Sequence, residues 1–363
     1  MPTRKPPETC VAIMAGGRGL RLWPRSNARA PKQLQGFFGG PVLLRQTLAA
    51  ASALTPADRT YVVTAADLLE RTQVLLDPGV QILAEPWGRD TAACAALAAL
   101  HVERSHPGAI LILLPADHWV GDVKAFAATL AHAATLAARH NCLVTVGVQP
   151  TRPETGFGYI LAEPGHDGVH RGVRFREKPT AQEAARLIAE GNVFWNAGIF
   201  VASAATLLAL IRQHLPATNA GLERIAEALG TPSEAAVLAD VYATLPAVSL
   251  DRGVAERLDH FLVVPAAFPW DDVGSWTAFP RIIPPDPNGN LTSGPVHTAD
   301  ATRCLVDTPA LKTTLLGVHD LIIVQDGDRL LVAAADRAQD IKQVAAAQEA
   351  NTASEAQSGG GIP

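Results

Sequence analysis

Four cysteines in 363 residues, Cys10, Cys94, Cys142 and Cys304, stand far apart and form neither a C-x-x-C pair nor a Cys/His metal spacing. This excludes a disulfide framework or a zinc site as the organising feature and predicts buried thiols in a reducing cytoplasm. There is no excess of basic charge either, and the net charge of -5 argues against a nucleic-acid partner or an anionic membrane. No apolar stretch is long enough to span a bilayer. The run after the basic start Met1 to Thr9 is broken by Gly16 and Gly17 before it can serve as a signal-peptide core. Two familiar phosphate motifs are missing as well. A dinucleotide fingerprint from Gly17 would need glycine or alanine where Leu22 stands, and a P-loop would need Gly-Lys-Ser/Thr, whereas Lys32 lies between Pro31 and Gln33.

What is present is a different glycine-rich turn, AIMAGGRGLRLWPRSNARAPKQ at Ala12 to Gln33. A short apolar run ends at Met14, and Gly16, Gly17 and Gly19 then remove the side chains that would hold a phosphate away from the backbone. Exposed amides can turn toward anionic oxygens there. Arg18, Arg21, Arg25 and Lys32 supply positive charge, and Pro24 and Pro31 stiffen the connection. A polyphosphate fits this pattern, although by itself the segment also fits a surface loop with solvated arginines.

A hydrophobic content of 48% suffices to bury a sizeable core, in two domains or in one large domain with an appendage. Strand-like runs at Val11 to Met14, Tyr61 to Thr64, Val80 to Leu83, Ile110 to Leu114 and Leu143 to Val148 alternate with helical segments such as Ala92 to Ala99 and Ala125 to Ala138. The alternation predicts an α/β fold, a mostly parallel sheet flanked by helices. Ligands of such sheets bind beyond the carboxyl ends of the strands, where Gly16, Glu85 and Asp117 all fall. Further strands are expected at Gly156 to Leu161, Val173 to Glu177 and Trp195 to Val201, with helices over Ala204 to Asp259. The prolines at 284, 285 and 287 mark a boundary, followed by short strands to about Ala335. We expect a catalytic domain over 1–285, a small β domain over 286–345 and a disordered tail over 346–363.

The chemistry-bearing segments recur in a set: the opening turn, AEPWGRDTA at Ala84 to Ala92, LPADH at Leu114 to His118, TGFGYI at Thr155 to Ile160, REKP at Arg176 to Pro179, WNAGIF at Trp195 to Phe200 and FPWDDVGSW at Phe268 to Trp276. In order and spacing they resemble bacterial mannose-1-phosphate guanylyltransferases of the sugar nucleotidyltransferase family. The resemblance covers most of the chain and extends from Leu315 to Ile341 into that family's C-terminal domain. It implies a Rossmann-like nucleotide-diphospho-sugar transferase fold with a left-handed β-helix-like appendage. It also implies the reaction, attack of mannose 1-phosphate on the α-phosphorus of GTP to give GDP-mannose and pyrophosphate. Two polyanions must meet, so a divalent cation and fixed positive side chains are needed.

By resemblance, Asp117 and Asp272 would hold Mg²⁺ or another divalent cation, with Asp271 as the neighbouring competitor. On local sequence Asp117 also reads as a cap or turn residue. Arg21 would hold the leaving phosphates and Lys32 would act on the α-phosphate. Ala15, Gly16, Gly17 and Gly19 would line the nucleotide, and Glu85 would accept from guanine N1-H and the N2 amino group. Arg89, Asp90 and Thr91, which would also contact the nucleotide, open the next helix, where Asp90 or Thr91 can cap its N-terminus; the family often has asparagine at the position of Asp90. Gly158, Tyr159, Glu177, Lys178 and Asn196 would contact the sugar phosphate, and His118 would orient the Asp117 loop. Rival readings are a guanylyltransferase for another sugar phosphate, such as a manno-heptose phosphate, and a non-catalytic sugar-nucleotide-binding homologue. A two-function enzyme with an added isomerase barrel would need more chain after Ala335. A homodimer through apolar strands such as Leu321 to Val324 is a further expectation.

Overall fold

In a computed structural model of the chain, residues 8–17, 19–27 and 30–348 are described. They form two compact units with interleaved segments. The first comprises the chain up to Gly16, Thr47–Ala116 and Val120–Trp270; the second comprises Gly17–Gln46, Asp117–Trp119 and the residues from Asp271 onward.

The first unit is built on a nine-stranded sheet. Its order is Gln81–Glu85, Thr60–Ala65, Thr9–Met14, Ile110–Pro115, Val193–Ser203, Val144–Val148, Phe261–Pro265, His170–Glu177 and Gly158–Pro164. The first four strands are parallel to one another, and the inner three of them are buried on both faces while Gln81–Glu85 lies at the edge. Val193–Ser203 then enters antiparallel to both of its main neighbours, so the sheet is mixed. The helix Asp90–Ser105 buries every residue from Ala92 to Ala99, because it has the sheet on one side and the helices Ala204–His214 and Pro216–Ala228 on the other. Alanine serves there because a small side chain at each turn admits close packing on all sides. The parallel strands end together, which brings Glu85 to Gly16: a Cβ on Gly16 would lie 3.3 Å from the Glu85 carboxylate.

The second unit joins the glycine-rich segment to the C-terminal β domain. Leu22, Trp23 and Phe37 pack in one core with Trp276 and Phe279 and with Leu291, Leu305, Ile322 and Val324 of the short strands. Burying a side chain such as Leu22 contributes roughly 2 kcal/mol, so this segment is held to the C-terminal part by its apolar core. Leu291–Ser293, Leu305–Asp307 and Leu321–Asp326 stack in parallel, as do Val296–Ala299 and Thr313–Leu316, giving the coils of a β-helix. The apolar run Leu321 to Val324 does not offer the surface proposed for a dimer. Ile322, Ile323 and Val324 are interior, and the exposed apolar side chains are Leu330 and Val332 on the strand that pairs with it. Residues 341–348 are helical, so the tail expected from 346 is ordered to 348, and its remainder lies outside the described residues. All four cysteines are free thiols, and burial pushes Cys10 up to about 12. No described helix is long and apolar enough to cross a membrane.

Candidate active site

In the second unit a cavity of about 440 Å³ is lined by Gly19, Arg21, Lys32, Asp117, His118, Asp272, Gly274 and Lys342. Gly19 makes it possible. Its φ is 57°, and a Cβ there would lie 2.6 Å from the Cβ of Lys32, so a side chain at 19 would displace the lysine. The Ser26 hydroxyl donates to the Gly19 carbonyl at 2.6 Å and the Gln33 amide to the Gly17 carbonyl at 2.8 Å, which fixes the turn. Trp276 is fully buried and its indole N-H donates to the Trp23 carbonyl at 3.0 Å, tying the segment after the glycines to the DDVGSW motif.

Lys32 is buried, and its Nζ lies 3.0 Å from Asp117 Oδ2 and donates to the carbonyl of Asp272. Burial works against ionisation of Asp117, yet the Lys32 ammonium, His118 and hydrogen bonds outweigh it and hold its carboxyl below the usual range. His118 Nε2 is 3.8 Å from Asp117 Oδ1, and burial pushes the imidazole down to about 4, so the ring is neutral near pH 7. Asp272 is pushed up to about 6, chiefly by burial, against the pull of Lys32. The adjacent Asp271 is spent elsewhere: Arg281 grips it through Nε at 2.8 Å and Nη2 at 3.1 Å, and it accepts the Val273 N-H at 2.9 Å. Of the two carboxylates, Asp272 is the one in the cavity. Arg25 pairs at 2.9 Å with the buried Asp307 of the β-helix, and Arg18 lies outside the described residues.

Two further clusters occupy the first unit. Glu85 is buried at the end of its strand, accepts a hydrogen bond from the Tyr242 hydroxyl at 3.2 Å, and is pushed up to about 7 by burial. Ala15 closes its own strand by donating its N-H to Val63 at 2.7 Å. Arg89 does not join Glu85. Its guanidinium clasps the carbonyls of Tyr242 and Ala243, each at 2.6 Å, and thereby fixes the end of the helix that carries the phenol. Asp90 stands at φ 64°, a conformation asparagine and aspartate tolerate, and its Oδ1 accepts the Thr91 N-H at 2.7 Å. The Thr91 hydroxyl accepts the Leu250 N-H at 2.8 Å instead of capping its own helix.

In the other cluster the Asn196 amide donates to Asp251 Oδ1 at 2.6 Å, while its oxygen accepts the Gly198 N-H at 3.1 Å and the Thr145 hydroxyl at 3.2 Å. Those two donors settle which end of the amide faces Asp251. Asp251 is pushed up to about 6 by burial and then by Glu177. Glu177 pairs with Lys178 at 2.8 Å, and a Cβ on Gly158 would lie 2.7 Å from the Glu177 carboxylate. Tyr159 is wholly interior, its hydroxyl donating to the Glu154 carbonyl at 2.9 Å, so it supports this cluster from within the core.

A family model described as nucleotidyl transferase matches residues 11–287, which include every residue of these three clusters except Lys342. The chain belongs to the nucleotidyl transferase family. A second model, a MannoseP isomerase/GMP-like beta-helix domain, matches residues 295–347. This transferase is 33% identical over 342 residues to the mannose-1-phosphate guanylyltransferase of Salmonella montevideo, covering 92% of this chain and 72% of that protein. It is 32% identical over 355 residues to the alginate biosynthesis protein AlgA of Pseudomonas aeruginosa, covering 95% and 73%. A solved chain from Thermus thermophilus, described as a mannose-1-phosphate geranyltransferase, superposes with a TM-score of 0.86 at 37% identity, over 94% of this chain and 99% of the other. The nucleotidyltransferase thus combines an α/β catalytic fold with a C-terminal β-helix. Its sequence motifs did not point to Tyr242, Asp251 or Lys342. Tyr242 and Asp251 come from a stretch where only a helical pattern is legible and Lys342 from the end of the expected β domain, and their partners are distant in the chain.

Proposed function

We propose that the enzyme transfers GMP from GTP to mannose 1-phosphate, giving GDP-mannose and pyrophosphate. The observation that carries this reading is the cavity in which Arg21 and Lys32 share a lining with Asp117 and Asp272. Cations for phosphate oxygens and carboxylates for a divalent ion are what phosphoryl chemistry needs, and a pure binder has no use for the full set. Asp117 and Asp272 are the two carboxylates of that lining and would hold the ion between them. That fits Mg²⁺, which takes one or two carboxylates and fills its other positions with water and phosphate oxygens. When bound, the ion supplies charge neutralisation at the reacting phosphates.

The chain's own residues do the rest. Lys32 is held in place by Asp117 and the Asp272 carbonyl and presents a compact charge to the reacting phosphate. Arg21 grips the leaving phosphates through its forked donors. The sugar phosphate is anionic near neutral pH and attacks without a general base, which suits a neutral His118 that orients Asp117. Ionised Glu85 accepts from both donors on the guanine edge, and Tyr242 sets the orientation of its carboxylate. Tyr242→Phe is expected to raise KM for GTP about 3- to 10-fold with kcat little changed, within the range of a single lost hydrogen bond. The cluster of Asn196, Asp251 and Glu177 meets the hexose hydroxyls, and Lys178 its phosphate. Asp251→Ala, which frees the Asn196 amide, is expected to raise KM for mannose 1-phosphate about tenfold while KM for GTP stays put.

The reverse reaction tests the proposal directly. GDP-mannose, pyrophosphate and Mg²⁺ should yield GTP and mannose 1-phosphate, identified by mass. Tight GDP-mannose binding without any turnover would instead make the protein a binder.

A further inference from the structure

We infer that Lys342, on the helix that follows the β-helix, is a third phosphate-binding cation of the active-site cavity, directed at the pyrophosphate portion of the nucleotide. This rests on the polyphosphate reading of that cavity. Lys342 lines it together with Arg21, Lys32, Asp117 and Asp272. Its placement follows from packing, because Ile341 beside it is buried in the same apolar core as Leu22, the residue next to Arg21. Ala338 and Ala345 bury in that core too, so one face of the helix is fixed and Lys342 is exposed beside it. The two cations therefore stand on neighbouring supports.

Charge bookkeeping gives them a common task. Lys32 is paired with Asp117 at 3.0 Å. Among the described residues no carboxylate stands within ion-pair distance of Arg21 or Lys342. Arg21, Lys32 and Lys342 together outnumber the two carboxylates of the lining, Asp117 and Asp272, and a polyphosphate supplies the anion that Arg21 and Lys342 do not find in the protein. The C-terminal domain thus contributes a side chain to the catalytic cavity, and pyrophosphate both docks on and leaves from it.

Inorganic pyrophosphate with Mg²⁺ is the probe, titrated calorimetrically into the full chain at two salt concentrations. Lys342→Ala and Lys342→Gln should weaken binding about tenfold and flatten its salt dependence, and Lys342→Arg should restore most of the affinity. In steady state, KM for GTP and the inhibition constant for pyrophosphate should rise together while KM for the sugar phosphate is unchanged. Lys342 is exposed, so its replacement leaves the core intact, and an unchanged melting temperature confirms this. If wild type and Lys342→Ala bind pyrophosphate equally and with the same salt dependence, the assignment of Lys342 is overturned while the cavity keeps its role. If wild type itself binds no pyrophosphate, the polyphosphate reading falls and this inference with it.

Discussion

Lys32→Ala is expected to remain folded and to lose about 100- to 1,000-fold in kcat, the usual loss when one preorganised stabiliser of developing charge is removed. The side chain is buried, yet its partner Asp117 is about a third exposed, with a side-chain accessibility of 36%, so water can take over the orphaned carboxylate. The loss should therefore appear in turnover and not in folding. Without the ammonium, Asp117 and Asp272 face each other uncompensated, which should loosen GTP binding by a smaller factor than it slows chemistry. Circular dichroism and pyrophosphate release measured side by side separate the two. A variant with near wild-type kcat would remove Lys32 from the reaction.

The second large effect concerns the base. Glu85→Gln keeps the shape of the side chain but turns one of two acceptors into a donor that opposes a guanine donor. A decrease of about 100-fold in kcat/KM for GTP is expected, close to 2.7 kcal/mol, with much less change for ATP. Because burial pushes Glu85 up to about 7, wild type should show KM for GTP rising as pH falls below about 7 and the acceptor pair is lost. The sign for stability is opposite. A carboxyl whose folded pKa is raised stabilises the ligand-free fold below its unfolded value near 4.3, and that contribution is lost as pH rises through about 7. Glu85→Gln should therefore melt higher than wild type at pH 8 without ligand and about equally at pH 4. A GTP-to-ATP preference unaffected by the substitution would place the base elsewhere.

The sequence carried much of this, but unevenly. Gly16, Gly17 and Gly19 stand out in the sequence as a turn without side chains, but only the structure separates them: a Cβ at Gly19 would collide with Lys32 and one at Gly16 would approach Glu85, while Gly17 faces open space. The parallel block of strands was legible from buried β-branched runs. The antiparallel entry of Val193–Ser203 was not, since a strand buried on both faces reads the same in either direction. The choice between Asp271 and Asp272 needed Arg281, which holds the former and has no motif of its own. Arg89 shows the limit of adjacency: four residues from Glu85 in the chain, its side chain reaches the far end of another helix. Tyr242, Asp251 and Lys342 required tertiary packing to be seen at all.

The most direct test of the central claim is pyrophosphate release with Mg²⁺ across GTP, ATP, UTP and dTTP, each paired with mannose 1-phosphate, glucose 1-phosphate and a manno-heptose 1-phosphate. The account predicts that GTP with mannose 1-phosphate gives the highest kcat/KM, well above every other pair. A higher value for another nucleotide would contradict the role of Glu85, and no release from any pair would contradict the enzyme reading itself.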